Sequence, residues 1–330
     1  MNRRELLRSL PALAMAPRLL AQGAKPTISI KALNHFKLLV SDVNRSVDFY
    51  QGLFGMPIQM RQGSTVLLRI GGGPQFMAIG PAEGSAPSIA PLIGMSVDKF
   101  NAERLTEILA QHGVMARTIT RGPDKGGTKV GTPELFFNDP DGLTLQLSDP
   151  KYCGGSGPLG EICPKPEASP KKGLIELRDL NHFTINESDG NRSNAFYQEL
   201  FGLPVRSRQG TALGLGVGPG KMFVMFAGAG GRGGATPRPA SINHVCMNME
   251  NFSPDNVLKT LASYGITPRE SAQGPVGPLK SYVSLRMENR GGAPGGTPEL
   301  YFTDPDGLLM QLQDVLYCGG AGILGDVCAG

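Results

Sequence analysis

Short stretches in which apolar and polar residues alternate with a period of two recur along this chain, and the same order of stretches occurs twice. At 308–313, Leu308, Met310 and Leu312 alternate with Leu309, Gln311 and Gln313, the pattern of a strand with one packed face. A first strand is predicted at 33–40 and again at 180–185. Helices follow at 45–54 and 192–201, where Phe49-Tyr50 and Phe196-Tyr197, each followed by Leu-Phe, make an apolar face at helical spacing. Gly55 and Gly202 suit the helix C-caps. Three strands come next, at 57–61, 65–70 and 75–79, with counterparts at 204–208, 212–217 and 221–226. A second strand–helix unit then begins, with strands at 91–97 and 242–249 and helices at 102–112 and 255–264. It continues through 114–120 (266–270 in the second copy) to hairpins pairing 134–138 with 143–147 and 299–303 with 308–312. Asp-Pro-Asp-Gly at 139–142 and 304–307 makes the hairpin turns, because Pro presets its backbone angle and Gly accepts positive φ.

The repeat extends to single residues. Leu33-Asn34-His35-Phe36 returns as Leu180-Asn181-His182-Phe183, Asn44-Arg45-Ser46 as Asn191-Arg192-Ser193, and Tyr152-Cys153-Gly154-Gly155 as Tyr317-Cys318-Gly319-Gly320. A period of about 150 residues is far beyond a solenoid unit, so the chain is a duplicated domain. The copies span 32–150 and 178–316, separated by a Cys/Gly-rich segment and linker at 151–173 and followed by a Cys/Gly-rich tail at 317–330. Features kept by both copies serve the shared fold; features in one copy alone are candidates for chemistry.

Composition removes several classes of function. The net charge of +4 is small and dispersed, with no Lys/Arg run that would track nucleic-acid phosphates. No segment approaches the ~20 apolar residues of a membrane span. Gly71-Gly72-Gly73 and the Gly-rich run from Gly228 to Gly234 lack the Gly-Lys-Ser/Thr ending of a phosphate loop. Residues 1–23, with Arg3-Arg4 ahead of a short apolar stretch, resemble a twin-arginine export signal, which implies a periplasmic or extracellular protein; a chance Arg pair in an N-terminal arm is the alternative. Cys153 with Cys163, and Cys318 with Cys328, bracket Gly-rich loops and suit local disulfides in an oxidising compartment. A four-Cys metal site is disfavoured because close CxxC pairs are absent, and Cys246 is left over.

Two β-α-β-β-β modules per copy, a His on the first strand, the Phe-Tyr-x-x-Leu-Phe-Gly helix end and the Asp-Pro-Asp-Gly hairpin resemble the vicinal oxygen chelate superfamily of glyoxalases, bleomycin-resistance proteins and extradiol dioxygenases. The resemblance covers 32–316 and implies an α+β fold in which paired modules form half-open mixed β-sheet cups around a metal, with ligands from the first, fourth, fifth and eighth strands. Strand alternation places His182, His244 and Gln311 on cup-facing positions of the second copy, with Thr184, Cys246 and Asn248 on the same faces as weaker substrate contacts. The first copy retains His35 and Gln146 but has Leu92 opposite His244, and a leucine cannot ligate. An inactive N-terminal copy beside an active C-terminal one also resembles two-domain extradiol dioxygenases.

Gln311 departs from the family's usual Glu, which completes a two-His-one-carboxylate face. A Gln oxygen can ligate but is neutral, so it should hold a divalent metal less tightly. Tyr301 stands where the first copy has Phe136, and in extradiol enzymes the matching Tyr contacts substrate near the metal; the alternative is a packing aromatic. Glu134 and Glu299 occur in both copies and read as structural. A loop at 271–296, enlarged only in the second copy, carries Arg286 and other cations and reads as a lid for an anionic substrate or as a solvated insertion.

The expectation is an exported metalloenzyme of extradiol-dioxygenase type, with Fe(II) at His182, His244 and Gln311 and help from Tyr301. Zn(II) or Ni(II) would instead support glyoxalase-type isomerisation through an enediolate. The rival class is a metal-free cup that sequesters a small molecule, as bleomycin-resistance proteins do. Neither a nucleic-acid partner nor a membrane contact of the mature chain is expected. A homodimer is left open, as is a site shared between copies with His35 contributing.

Overall fold

The computed structural model describes residues 27–228 and 239–329, so the export signal expected at 1–23 and most of the Gly-rich run after Gly228 lie outside the described residues. The first copy comprises β1 (Ile30–Val40), α1 (Val43–Phe54), β2 (Ile58–Gln62), β3 (Thr65–Arg69) and β4 (Phe76–Pro81). It continues with β5 (Ser88–Val97), α2 (Ala102–Gln111), β6 (Ala116–Arg121), β7 (Thr132–Asn138) and β8 (Thr144–Ser148). The second copy repeats this order as β9 (Leu177–Glu187), α3 (Gly190–Phe201), β10 (Val205–Gln209), β11 (Ala212–Gly216) and β12 (Phe223–Gly228). Its second half is β13 (Ser241–Met249), α4 (Pro254–Ser263), β14 (Thr267–Pro268), β15 (Lys280–Arg286), β16 (Thr297–Thr303) and β17 (Leu309–Asp314).

Local chemistry sets the helix ends. Asp42 and Asp189 accept backbone N–H groups of the first turns of α1 and α3. Gly55 closes α1 with φ 66°, and a Cβ there would lie 2.4 Å from the Lys172 carbonyl oxygen, so only Gly fits.

Each copy forms one mixed sheet, ordered β2-β3-β4-β1-β5-β8-β7-β6 and β10-β11-β12-β9-β13-β17-β16-β15-β14. At each centre the first strand of one module runs antiparallel to the first strand of the other (β1 with β5, β9 with β13) and each is flanked by a parallel last strand. The paired β-α-β-β-β modules and half-open cups expected of the α+β fold are therefore present twice. One continuous apolar core joins both copies, with Phe36 and Phe183 edge to face at 6.1 Å. The opposite, cup faces hold small clusters of their own, Leu67–Phe76–Tyr152 and Phe223–Met225–Tyr317.

The strand matching β6 is β15, not residues 266–270. Arg286 of β15 pairs with Thr297 in the register that Arg121 of β6 keeps with Thr132. The extra chain thus precedes the strand: 264–279 joins α4 to β15, where 112–115 joins α2 to β6. Alternation alone cannot choose between neighbouring short segments; pairing with β16 does. The stretch at 164–172 is likewise more than a linker, since Glu167 bridges Ile58 through backbone bonds of 2.8 and 2.9 Å and its side chain pairs with Arg61.

The Asp-Pro-Asp-Gly turns tie the copies together. Asp306 accepts from Ser41 Oγ and Arg45 Nη2, both at 2.6 Å, and Asp304 accepts from Tyr50 at 3.2 Å. The mirror contacts join Asp141 to Ser188 and Arg192, and Asp139 to Tyr197 at 3.1 Å. Each turn thereby docks on the other copy's first helix, which accounts for the repeated Asn-Arg-Ser and Phe-Tyr motifs.

Candidate metal centre

The central strands β9, β13 and β17 bring His182, His244 and Gln311 together at the floor of the second cup. His182 and His244 approach with their Nε2 atoms 3.4 Å apart. Each ring is held from behind by the preceding asparagine: His182 Nδ1 lies 2.6 Å from Asn181 Oδ1, and His244 Nδ1 lies 2.8 Å from Asn243 Oδ1. Asn181 Nδ2 donates to the Tyr317 carbonyl at 2.9 Å, which leaves its Oδ1 only the role of acceptor. That network puts the His182 proton on Nδ1 and the lone pair on Nε2. The Asn243 contact assigns His244 the same way, its Nδ2 donating to Asn186 Oδ1 at 3.4 Å.

Both rings stay neutral. Burial lowers the His244 pKa to about 4, and burial together with neighbouring His244 takes His182 well below its ordinary value. Two neutral rings therefore aim lone pairs at one another. The Gln311 amide lies beside both and opposes the effect of burial, yet neither its oxygen nor its nitrogen meets a partner with hydrogen-bond geometry. Each such buried, unsatisfied group costs about 1–3 kcal/mol. A cation between the two nitrogens and the amide oxygen would satisfy all three. Rings oriented through Nδ1 by an oxygen acceptor are the usual support of metal-binding histidines. The donor set thus fits a borderline divalent ion such as Fe(II), Zn(II) or Ni(II). Among the described residues no group of three or more His, Cys, Asp or Glu is placed to hold a metal, so the third donor rests on the Gln311 amide.

Above these residues lies a cavity of about 210 Å³. Thr184, Tyr301, Glu299 and Arg290 line it alongside the three donors. Tyr301 meets His244 edge to face at 5.2 Å, and Tyr282 stacks on Tyr301 at 5.1 Å. Phe223 stacks on His182 at 4.2 Å. Three expected contacts fall outside the cavity. Cys246 pairs in register with His182 and Gln311, and its short side chain is fully buried between them. Asn248 donates to Asp179 at 3.0 Å instead of facing the cavity. Arg286 belongs to no lid: it is 1% exposed and pairs with Glu299 at 2.8 Å, while its Nη atoms donate to the Gly291 and Gly320 carbonyls. Arg121 with Glu134 is the same arrangement in the first copy, so Arg286 is structural.

The first copy differs in having one histidine at the floor of its cup. His35 Nδ1 meets Asn34 Oδ1 at 2.7 Å and its Nε2 lies 3.0 Å from Gln146 Oε1, while Gln146 Nε2 is buried without a partner. Gly94 occupies the register position of Cys246, which puts Leu92 opposite His244. A Cβ at Gly94 would lie 2.1 Å from the His35 ring, so the imidazole settles over the strand. His35 does not line the second cup's cavity.

Both expected disulfides are formed, Cys153–Cys163 and Cys318–Cys328. The second backs the site: Tyr317, next to Cys318, stacks on His182 at 5.6 Å and donates to Glu299 at 3.0 Å. Glu299 and Tyr317 went unrecognised in the sequence because both copies carry them. The sequence does mark the cup histidines in another way, since an Asn precedes His35, His182 and His244 but not His112.

The fold defines a tandem cup protein, and the chain belongs to the Glyoxalase/Bleomycin resistance protein/Dioxygenase superfamily, whose family description matches residues 32–147. Lactoylglutathione lyases of Escherichia coli O157:H7 and Shigella flexneri are each 32% identical over 144 residues, covering 37% of this chain and 95% of the relative. Among solved structures, the 2,3-dioxygenase LapB from Pseudomonas sp. KL28 superimposes with a TM-score of 0.61 at 17% identity, over 87% of this chain and 93% of that one. The Mn(II)-bound glyoxalase from Novosphingobium aromaticivorans gives 0.59 at 16% identity, over 86% and 82%. These two likenesses concern the fold.

Proposed function

We propose that this protein is a metal-dependent enzyme acting on a small molecule with vicinal oxygens, with extradiol ring cleavage as the leading reaction. The observation that carries the reading is the convergence of two neutral His Nε2 atoms at 3.4 Å beside an unsatisfied Gln311 amide. A divalent metal held there supplies Lewis acidity toward paired substrate oxygens and, as Fe(II), reactivity with O₂. The protein's own groups then do the rest. Asn181 and Asn243 hold the imidazole tautomers, Phe223 and Tyr317 wall off His182, and Tyr301 stands over His244 at the cavity. Tyr301 opposite Phe136 of the degenerate copy favours ring cleavage. Isomerisation of the glyoxalase type is the second reading, favoured by the neutral Gln311 and by the Glu299 carboxylate within the cavity. Export is part of the proposal too, supported by the paired disulfides and by the twin-arginine-like start of the sequence.

Elemental mass spectrometry on purified protein tests the metal. About one equivalent of metal is expected in the wild type and none in His244→Leu, which copies the first domain. The metal's identity then separates the two reactions. No metal in either protein after anaerobic reconstitution would leave a binding cup in place of an enzyme.

A further inference from the structure

We infer that Glu299 is a positioning residue that locks the Tyr301 hydroxyl proton away from the cavity, so that Tyr301 presents only its oxygen lone pairs and selects a substrate that donates a hydroxyl. The inference rests on the proposal above that the cavity over His182 and His244 takes a small oxygen-bearing molecule. Residues 299 and 301 are two apart on β16 and share its cup face, as both line the cavity. Glu299 Oε1 receives Arg286 Nε at 2.8 Å and Tyr317 Oη at 3.0 Å. Its Oε2 receives Tyr301 Oη at 3.3 Å. A carboxylate paired with Arg is an acceptor only, so in this contact the Tyr301 hydroxyl is the donor. A phenol has one proton. With that proton directed at Glu299, the face of Tyr301 Oη that remains can accept and cannot donate.

The first copy separates this role from a structural one. Glu134 keeps the Arg121 pair at 3.0 Å and the bond from Tyr152, but residue 136 is Phe. The carboxylate–arginine–tyrosine anchor therefore serves both folds, and only the second copy adds a hydroxyl that the anchor can orient. Ligands matched to this arrangement are catechols and α-hydroxycarbonyl compounds in a form that retains a hydroxyl proton; fully O-alkylated or purely ketonic analogues leave the Tyr301 oxygen without a donor.

The test compares two chromophoric probes, 4-nitrocatechol and its dimethyl ether 4-nitroveratrole, by anaerobic equilibrium titration of the Zn(II)-loaded full-length protein. Loss of both hydroxyls weakens the ether in every variant, so the ratio of the two Kd values is compared across variants and not read alone. In Tyr301→Phe the preference for the catechol should shrink about tenfold, the worth of one buried hydrogen bond. Glu299→Gln should also shrink it, since an amide nitrogen can donate to Tyr301 and turn the phenol proton toward the cavity. Glu134→Gln, which breaks the matching ion pair in the first copy, should lower thermal stability and leave the ratio unchanged. An unchanged ratio in Tyr301→Phe, or in Glu299→Gln with Tyr301→Phe affected, overturns the positioning role. Should Glu299→Gln fail to fold, Tyr301→Phe against Glu134→Gln still decides whether the hydroxyl selects the donor. Failure of the metal-loaded wild type to bind either probe overturns the substrate reading beneath it.

Discussion

In the proposed metal site, Gln311 is the residue on which binding strength turns. A neutral amide leaves the charge of a divalent ion uncompensated, whereas a carboxylate at the same place would offset half of it. Gln311→Glu should therefore raise metal affinity by at least about tenfold, measured by competition with a chromophoric chelator. The same site should also hold its metal to lower pH than solvent-exposed histidines would. Burial keeps His244 neutral down to about 4, so protons compete for its nitrogen only below the usual imidazole range. Each His is aimed by the Asn before it, and at this scale the sequence already held the information. What it could not reveal was Glu299, because a residue present in both copies acquires a second role only from the neighbour at position 301.

At the scale of elements, the contact between the end of β9 and the β7–β8 turn carries a pH liability. Glu187 is fully buried there; burial, then contact with Asp141 and the charges of Asp139 and Asp141, pushes its carboxyl up to about 9. A carboxyl with a raised folded pKa keeps its proton in the fold and loses it in the unfolded chain. Its contribution is complete below about 4.5 and fades as pH rises toward about 9. Between pH 6 and 9 the loss should be on the order of 3 kcal/mol, and Glu187→Gln should flatten the dependence in urea unfolding. An equal slope in wild type and variant would refute this. Most elements could be read from alternation and caps, but β15 could not. Several short segments near 266–286 alternate acceptably, and backbone pairing with β16 selects one.

For the whole molecule, two disulfides close loops that have little core of their own. Each spans ten residues in sequence and should contribute about 2–3 kcal/mol by restricting the unfolded chain. The two are not equivalent for function. Replacing Cys318 and Cys328 by Ser should loosen Tyr317 and with it His182 and Glu299, lowering bound metal as well as melting temperature. Replacing Cys153 and Cys163 should lower melting temperature alone. Equal metal retention in both double variants would contradict the coupling. Among the described residues no helix is long and apolar enough to cross a membrane.

By itself the sequence determined the duplication, the module order, the cup-facing strand positions and the leucine at 92 where the second copy has His244, because periodicity and repetition are local properties that a single chain displays. The tertiary structure alone decided which cup-facing residues reach the cavity. Cys246, Asn248 and Arg286 carry suitable chemistry at suitable spacing, yet a short side chain, a partner at Asp179 and an ion pair with Glu299 remove them. It alone also decided that each Asp-Pro-Asp-Gly turn clasps the other copy's helix. Whether a polar group is free or spent depends on residues distant in sequence, 51 positions for Arg192 with Asp141 and 261 for Arg45 with Asp306, and only the folded chain brings those into contact.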